Sequence, residues 1–231
     1  MSPDRRNVPL LLPDSVVVGI QTEVLRWGGL HFQGYPWRSV DDPYLGLVAE
    51  VLLQRTRAAN VVPVFEEFRK RFPTPEALAS TTLDSVSEVV RPLGLLWRIP
   101  LLHQLGHALV DLGGVPDDLQ TLLALPGIGP YSAAAYLSFH AGQRAVIIDS
   151  NVVRWIARIT DQHYDAETRR RAWMKDAADR LTPTSTTRAY NYGVLDLTMQ
   201  VCVPGKPKCG ECPLSKGLCM YPVNLRDRES I

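Results

Sequence analysis

No apolar run in this chain of 231 residues is long enough to cross a bilayer, and one of the apolar runs, PLLLP at 9–13, is closed by proline at both ends. No basic start followed by an apolar stretch marks a secretory leader, so no membrane partner is expected and the expected compartment is cytoplasmic, nucleoid-associated if the source is prokaryotic. An excess of either charge is missing too: 25 Lys and Arg stand against 24 Asp and Glu, a net +1. Nucleic-acid binders usually carry a strongly basic domain, so a nucleic-acid partner would have to be met by charge placed locally. Arg55 with Arg57, Arg69-Lys70-Arg71, Arg169-Arg170-Arg171 and Lys206 with Lys208 are the places where that charge gathers. Strand-like alternation is scarce, AVII at 145–148 being the one short run, and no internal repeat or low-complexity tract occurs. Cysteine is absent outside one eighteen-residue stretch, which leaves no dispersed disulfide framework.

What is present reads as helix. With 45% hydrophobic and 21% charged residues the composition is that of an ordinary folded protein, long enough for one large core or two lobes. Thr74-Pro75-Glu76 is a helix start: a capping hydroxyl, proline at the first helical position and an acid in the first turn. Thr82 repeats the signal before LDSVSEVV, and 101–112, 118–125, 131–140, 151–159 and 167–181 carry helical spacing between Gly, Pro or Asp. The fold class is all-α.

LPGIGPYSAAAYLSF (125–139) breaks this pattern in an apolar region with two prolines and two glycines. Residues 118–125 read as one helix, PGIG as a tight turn, and the segment from Tyr131 as a second helix rich in small residues. Glycine at 127 and 129 permits positive φ and close backbone approach. The turn N–H groups and the following helix N-terminus make an anion site that ignores base sequence and holds a phosphate. Gly127, Ile128 and Gly129 are its expected contacts. A plain helix corner is the competing reading.

Eighteen residues beyond Tyr131, the run AVII ends at Asp149 and a helix starts at once. Asp-Ser-Asn before a periodic apolar run is ordinary N-cap chemistry, and a catalytic carboxylate is the alternative. Cys202, Cys209, Cys212 and Cys219 form a C-x6-C-x2-C-x6-C array. Four thiolates so close together read as a metal site, either zinc or a [4Fe–4S] cluster, and one central pair with a distant cysteine on each side suits the four corners of a cube. HQLGH (103–107) has the histidine spacing of a zinc hydrolase but glutamine where the base must stand.

Hairpin, aspartate and four-cysteine loop together resemble the helix-hairpin-helix/GPD superfamily of DNA glycosylases, most of all its endonuclease III branch. The resemblance runs from about residue 35 to 220 and includes YPWRSVDDPYLGLVAEVLLQRTRA (35–58) and YNYGVLDLTMQVC (190–202). The last cysteine gap holds six residues where the family usually has five, which predicts a bulge after Cys212. The resemblance implies two helical lobes flanking a DNA-binding cleft. Residues 38–145 would be a six-helix domain with the hairpin, and 1–37 with 146–231 a lobe carrying the cluster, whose Lys206, Lys208 and Lys216 suit phosphate contact. A monomer acting on double-stranded DNA with a mismatched or damaged base is expected.

Roles follow from the same resemblance. Asp149 would stabilise positive charge developing at the sugar, and Glu50 would donate a proton to the base or hydrogen-bond its edge. Tyr131 occupies the slot where bifunctional members carry a Schiff-base lysine. A phenol forms no imine, so a monofunctional enzyme is implied. Gln54 begins the segment expected to press into the duplex, with Arg55 beside it; Trp37 would line the cleft and Trp97 belong to the core. The branches with tyrosine at this slot are thymine or uracil/G mismatch glycosylases and, with serine or tyrosine, A/G-mismatch adenine glycosylases. The latter usually add a C-terminal domain reading 8-oxoguanine, for which little length follows Cys219, so the pyrimidine reading is preferred. A non-enzymatic helix-hairpin-helix module with a structural metal remains the alternative from another class.

Overall fold

Side-chain caps decide where several helices of this protein begin. In the computed structural model, which describes residues 12–221, the Thr74 and Thr82 hydroxyls each accept a backbone N–H three residues on, at 3.2 Å. Asp42 does the same for Leu45 at 3.1 Å with Pro43 in the first helical position, and Asp118 for Thr121 at 2.9 Å. In chain order the α-helices are α1 (Asp14–Leu30), α2 (Pro43–Leu52), α3 (Ala58–Arg71), α4 (Pro75–Ala79), α5 (Leu83–Val90), α6 (Arg98–Leu112), α7 (Leu119–Ala124), α8 (Pro130–Phe139), α9 (Ser150–Ile159), α10 (Ala172–Leu181) and α11 (Thr187–Gln200). Short 3-10 turns join some of them.

The described residues contain no strand. AVII runs outside any regular element, because extended backbone with no neighbouring strand to bond makes no ladder. The helical pattern over 167–181 is also broken: Arg171 takes an extended backbone (φ −71°, ψ 142°), separating a 3-10 turn at Thr168–Arg170 from α10. Of the PLLLP run, residues 9–11 lie outside the described residues.

The chain divides into two units, Gly34–Ala145 and the segments before and after it. In the first, α2 through α8 surround a core in which Leu47, Leu52, Phe65, Phe68, Leu78, Leu102, Leu105 and Leu109 are fully buried. Trp37 belongs to this core, 3% exposed and edge-on to Phe65 at 5.7 Å, which corrects the expectation that it lines a cleft. In the second unit α1 packs along α11. They meet at two glycines: a Cβ on Gly28 would stand 2.8 Å from the Gly193 Cα, and one on Gly193 would stand 3.0 Å from the Val24 carbonyl oxygen, so neither position admits a side chain without separating the helices. That packing fixes the frame from which α11 runs into the cysteine loop.

Candidate functional site

In the Gly34–Ala145 unit, α7 and α8 form the two arms of the hairpin. The turn closes with Ile128 N–H donating to Leu125 O at 3.2 Å, and Gly127 adopts the left-handed φ of +77° that the turn needs. Gly129 does not share that need. Its φ of −97° and ψ of 176° are extended backbone, and a Cβ there would meet nothing within 4 Å. Ile128 turns its side chain inward, 6% exposed in the apolar core, so only backbone is left to it for outside contact. Pro130 opens α8, whose first helical bond runs from Ala133 N to Gly129 O at 2.9 Å. The N–H groups of the first turn precede any acceptor in their own helix, which is the electrostatic basis of an anion site. Tyr131 stands in that first turn, half-buried.

Gln54 braces the hairpin. Its amide nitrogen donates to Gly127 O at 2.8 Å and to Ser132 Oγ at 3.0 Å. The side chain expected to press into DNA is therefore turned toward the hairpin, whereas Arg55 beside it is exposed in a left-handed conformation (φ 55°). A residue the sequence reading passed over holds this corner. Arg98, fully buried at the start of α6, donates to Leu52 O (2.6 Å), Gln54 O (3.3 Å), the Thr56 hydroxyl (3.1 Å) and Leu93 O (3.3 Å). It ties the end of α2 to the loop before α6, and burial draws its pKa below the usual arginine value. That loop exposes Leu96 and Trp97, 56% and 44%, which corrects the assignment of Trp97 to the core.

Glu50 lies on α2, buried, with its Oε1 3.4 Å from His140 Nε2. The histidines of HQLGH do not form a metal pair: His103 Nε2 lies 3.0 Å from Thr81 O and its ring packs edge-on against His107.

In the other unit Asp149 caps α9 through both oxygens. Oδ1 accepts the N–H groups of Asn151 and Val152, each at 2.8 Å, and Oδ2 accepts the Asn151 side-chain amide at 2.8 Å. The amide is itself held, because Asn151 Oδ1 accepts from Arg154 Nη1 at 3.0 Å. Arg154 is 5% exposed and continues inward, donating through Nε to Cys202 O and through Nη2 to Thr198 O, both at 3.0 Å. Loss of water around it lowers its pKa from the usual arginine value. A chain of hydrogen bonds thus runs from the carboxylate to the end of α11 and the first cysteine.

The four cysteines are unbridged and line one pocket, shared with Trp155, Arg158 and Leu214. Arg158 donates to Cys202 Sγ at 3.3 Å and to Val203 O at 2.8 Å. Burial, reinforced by the neighbouring cysteines, pushes the Cys212 thiol up to about 11 and the Cys219 thiol up to about 12. After Cys212 the chain turns, Ser215 N–H bonding back to Cys212 O at 3.2 Å and Gly217 taking φ +85°. Lys206 and Lys208 are exposed on this loop, Lys208 with Glu211 at 3.9 Å. Elsewhere basic clusters are locally matched: Arg69 pairs with Glu66, Arg71 with Glu88 and Arg170 with Glu167.

Residues 48–179 match the HhH-GPD family, described as HhH-GPD superfamily base excision DNA repair protein. A thymine-DNA glycosylase of Aeropyrum pernix is 34% identical over 231 residues, covering 92% of this chain and 98% of its own. An adenine DNA glycosylase of Mycobacterium tuberculosis is 32% identical over 219 residues, covering 90% of this chain and 71% of its own. Among solved structures, that of a thermostable thymine-DNA glycosylase superposes with a TM-score of 0.85 at 30% identity, covering 91% of this chain and 98% of that one.

The arginine that joins the α9 cap to the α11 end carries a stability prediction. Arg154→Met leaves the Thr198 and Cys202 carbonyls and the Asn151 amide oxygen without their donor, and should destabilise the fold by about 3 kcal/mol. Urea unfolding of the purified variant measures this. Arg154→Lys should recover little, because an ammonium cannot reproduce the guanidinium fork.

Proposed function

The chain belongs to the HhH-GPD superfamily of base excision DNA repair proteins, and on that footing we propose that it is a monofunctional DNA glycosylase that releases thymine or uracil opposite guanine from double-stranded DNA. The observation that carries the reading is the arrangement of Asp149. Oδ1 takes two backbone N–H groups and Oδ2 only one donor, so Oδ2 keeps a lone pair for a further contact. A negative charge fixed in this way stabilises the positive charge that grows on the sugar as the glycosidic bond breaks, with no reorganisation at that moment. It also orients the water that completes hydrolysis. The target base must leave the stack, at a cost of a few kcal/mol that is smaller for a mispaired base.

Tyr131 supports the monofunctional assignment. It stands in the first turn of α8, where its phenol cannot form the imine on which β-elimination depends. The relatives named for thymine and uracil support the pyrimidine assignment, and Glu50 serves it as a hydrogen-bonding partner for the base edge. The hairpin backbone at Gly127–Gly129 and the exposed Arg55, Lys206 and Lys208 are the proposed phosphate contacts, with the protein acting as a monomer.

Cys202, Cys209, Cys212 and Cys219 are the proposed ligands of a [4Fe–4S] cluster. The donor set fits: four thiols, and among the described residues no other Cys, His, Asp or Glu side chain, line one pocket. One central C-x2-C pair with a distant cysteine on each side supports the four corners of a cube over a single zinc ion. With all four cysteines as ligands, such a cluster would supply structure and would leave no open position for substrate.

Single-turnover release from T/G, U/G, A/G and A/8-oxoguanine duplexes of one sequence tests the assignment. Thymine and uracil should leave fastest, and strands should break only after alkali; faster adenine release, or strand cleavage without alkali, contradicts it. Purified protein should be yellow-brown and contain iron. One zinc and no iron would overturn the cluster assignment.

A further inference from the structure

His140 shares a buried site with Glu50, and the chemistry above uses only the acid. The two side chains are 1% and 4% exposed, with Nε2 of the ring 3.4 Å from Oε1. The other ring nitrogen, Nδ1, is buried and makes no hydrogen bond among the described residues. Helix α2 is shaped to receive the ring. Position 46, one turn before Glu50 on the same face, is glycine, and a Cβ there would stand 2.6 Å from the ring's Cγ and Nδ1. Tyr136 stacks on the imidazole with ring centres 6.0 Å apart, and Phe139 lies edge-on at 6.4 Å. Walls on these sides keep the ring where its Nε2 faces the carboxylate.

The buried Nδ1 says where the proton is. A proton there would be a buried N–H with no acceptor and would turn the Nε2 lone pair toward the Glu50 oxygen. With the proton on Nε2, the ring donates to Oε1 and leaves only a lone pair at Nδ1. We propose that His140 is a positioning residue for Glu50, donating from Nε2 to Oε1 so that Oε2 is presented as an acceptor to the N–H of a pyrimidine edge. This rests on the pyrimidine-glycosylase reading and deepens it: a Glu50 held as acceptor is suited to the N3–H of thymine or uracil and not to protonating a purine. No covalent step is assigned to His140.

Two measurements on the full chain test this. Ring nitrogen shifts of His140 from 15N NMR of the wild-type protein should show Nε2 protonated and Nδ1 bare; a proton on Nδ1, alone or with Nε2, overturns the proposal. In single-turnover assays on a T/G or U/G duplex, His140→Leu should slow base release by about tenfold or more with duplex affinity unchanged. His140→Gln, which returns an N–H near the place of Nε2, should recover most of the rate. In a Glu50→Ala background, adding His140→Leu should change the rate less than about twofold, because a residue acting through Glu50 has nothing left to position. Equal losses in both backgrounds, or no recovery by glutamine, would mean packing alone and contradict the proposal. If the wild-type protein releases no base, the function assignment fails, and the nitrogen shifts still decide the state of the pair.

Discussion

A guanidinium removed from water needs an oxygen for each of its forks, and in this protein Arg154 takes them from three places at once. One is the Asn151 amide that steadies Asp149; the others are the carbonyls of Thr198 and Cys202. The cost of burying that charge is met only while all three stay in position, so the start of α9, the end of α11 and the entry to the cysteine loop are held to one geometry. Arg158, one turn on, extends the same logic to Cys202 Sγ and the Val203 carbonyl. The carboxylate proposed to face the sugar is thereby built into the same network that shapes the cysteine pocket, although the two features are far apart in sequence.

The Gly34–Ala145 unit uses a parallel device. Arg98 gathers the carbonyls at the end of α2 and those before α6, and Gln54 bonds to the hairpin. Exposed on the segments so tied are Arg55, Leu96 and Trp97. A protein with a net charge of only +1 has little long-range attraction for a polyanion, and several of its basic clusters are matched by neighbouring acids. The phosphate-holding burden in the proposed function falls accordingly on backbone N–H groups and a few placed cations.

Local chemistry was legible in the sequence. The caps at Thr74, Thr82 and Asp149, the proline that opens α8 and the glycine turn at 127 each depend on a few adjacent residues, and the all-helical class follows from the helical spacing between them. Features that depend on distant partners were not. Nothing near Trp37 or Trp97 says that the first is enclosed by Phe65 and the second left outside. The extended Arg171 inside a helical pattern, and the inward turn of Ile128, are decided by tertiary packing. One signal was available and unused: in VVRWIARI, Arg154 and Arg158 fall on one face of a helix whose other positions are mostly apolar, which marks both as buried cations in need of oxygen partners.

The central claim is that Asp149 works by its charge and not only as a helix cap. Asp149→Asn keeps an acceptor for the α9 N–H groups and removes the charge. The decisive measurement is single-turnover base release by this variant on a mismatched duplex, with binding to the same duplex measured beside it. Binding close to that of the unmodified protein with base release lost by about a hundredfold or more is the predicted result; near-normal release would reduce Asp149 to a cap and contradict the account.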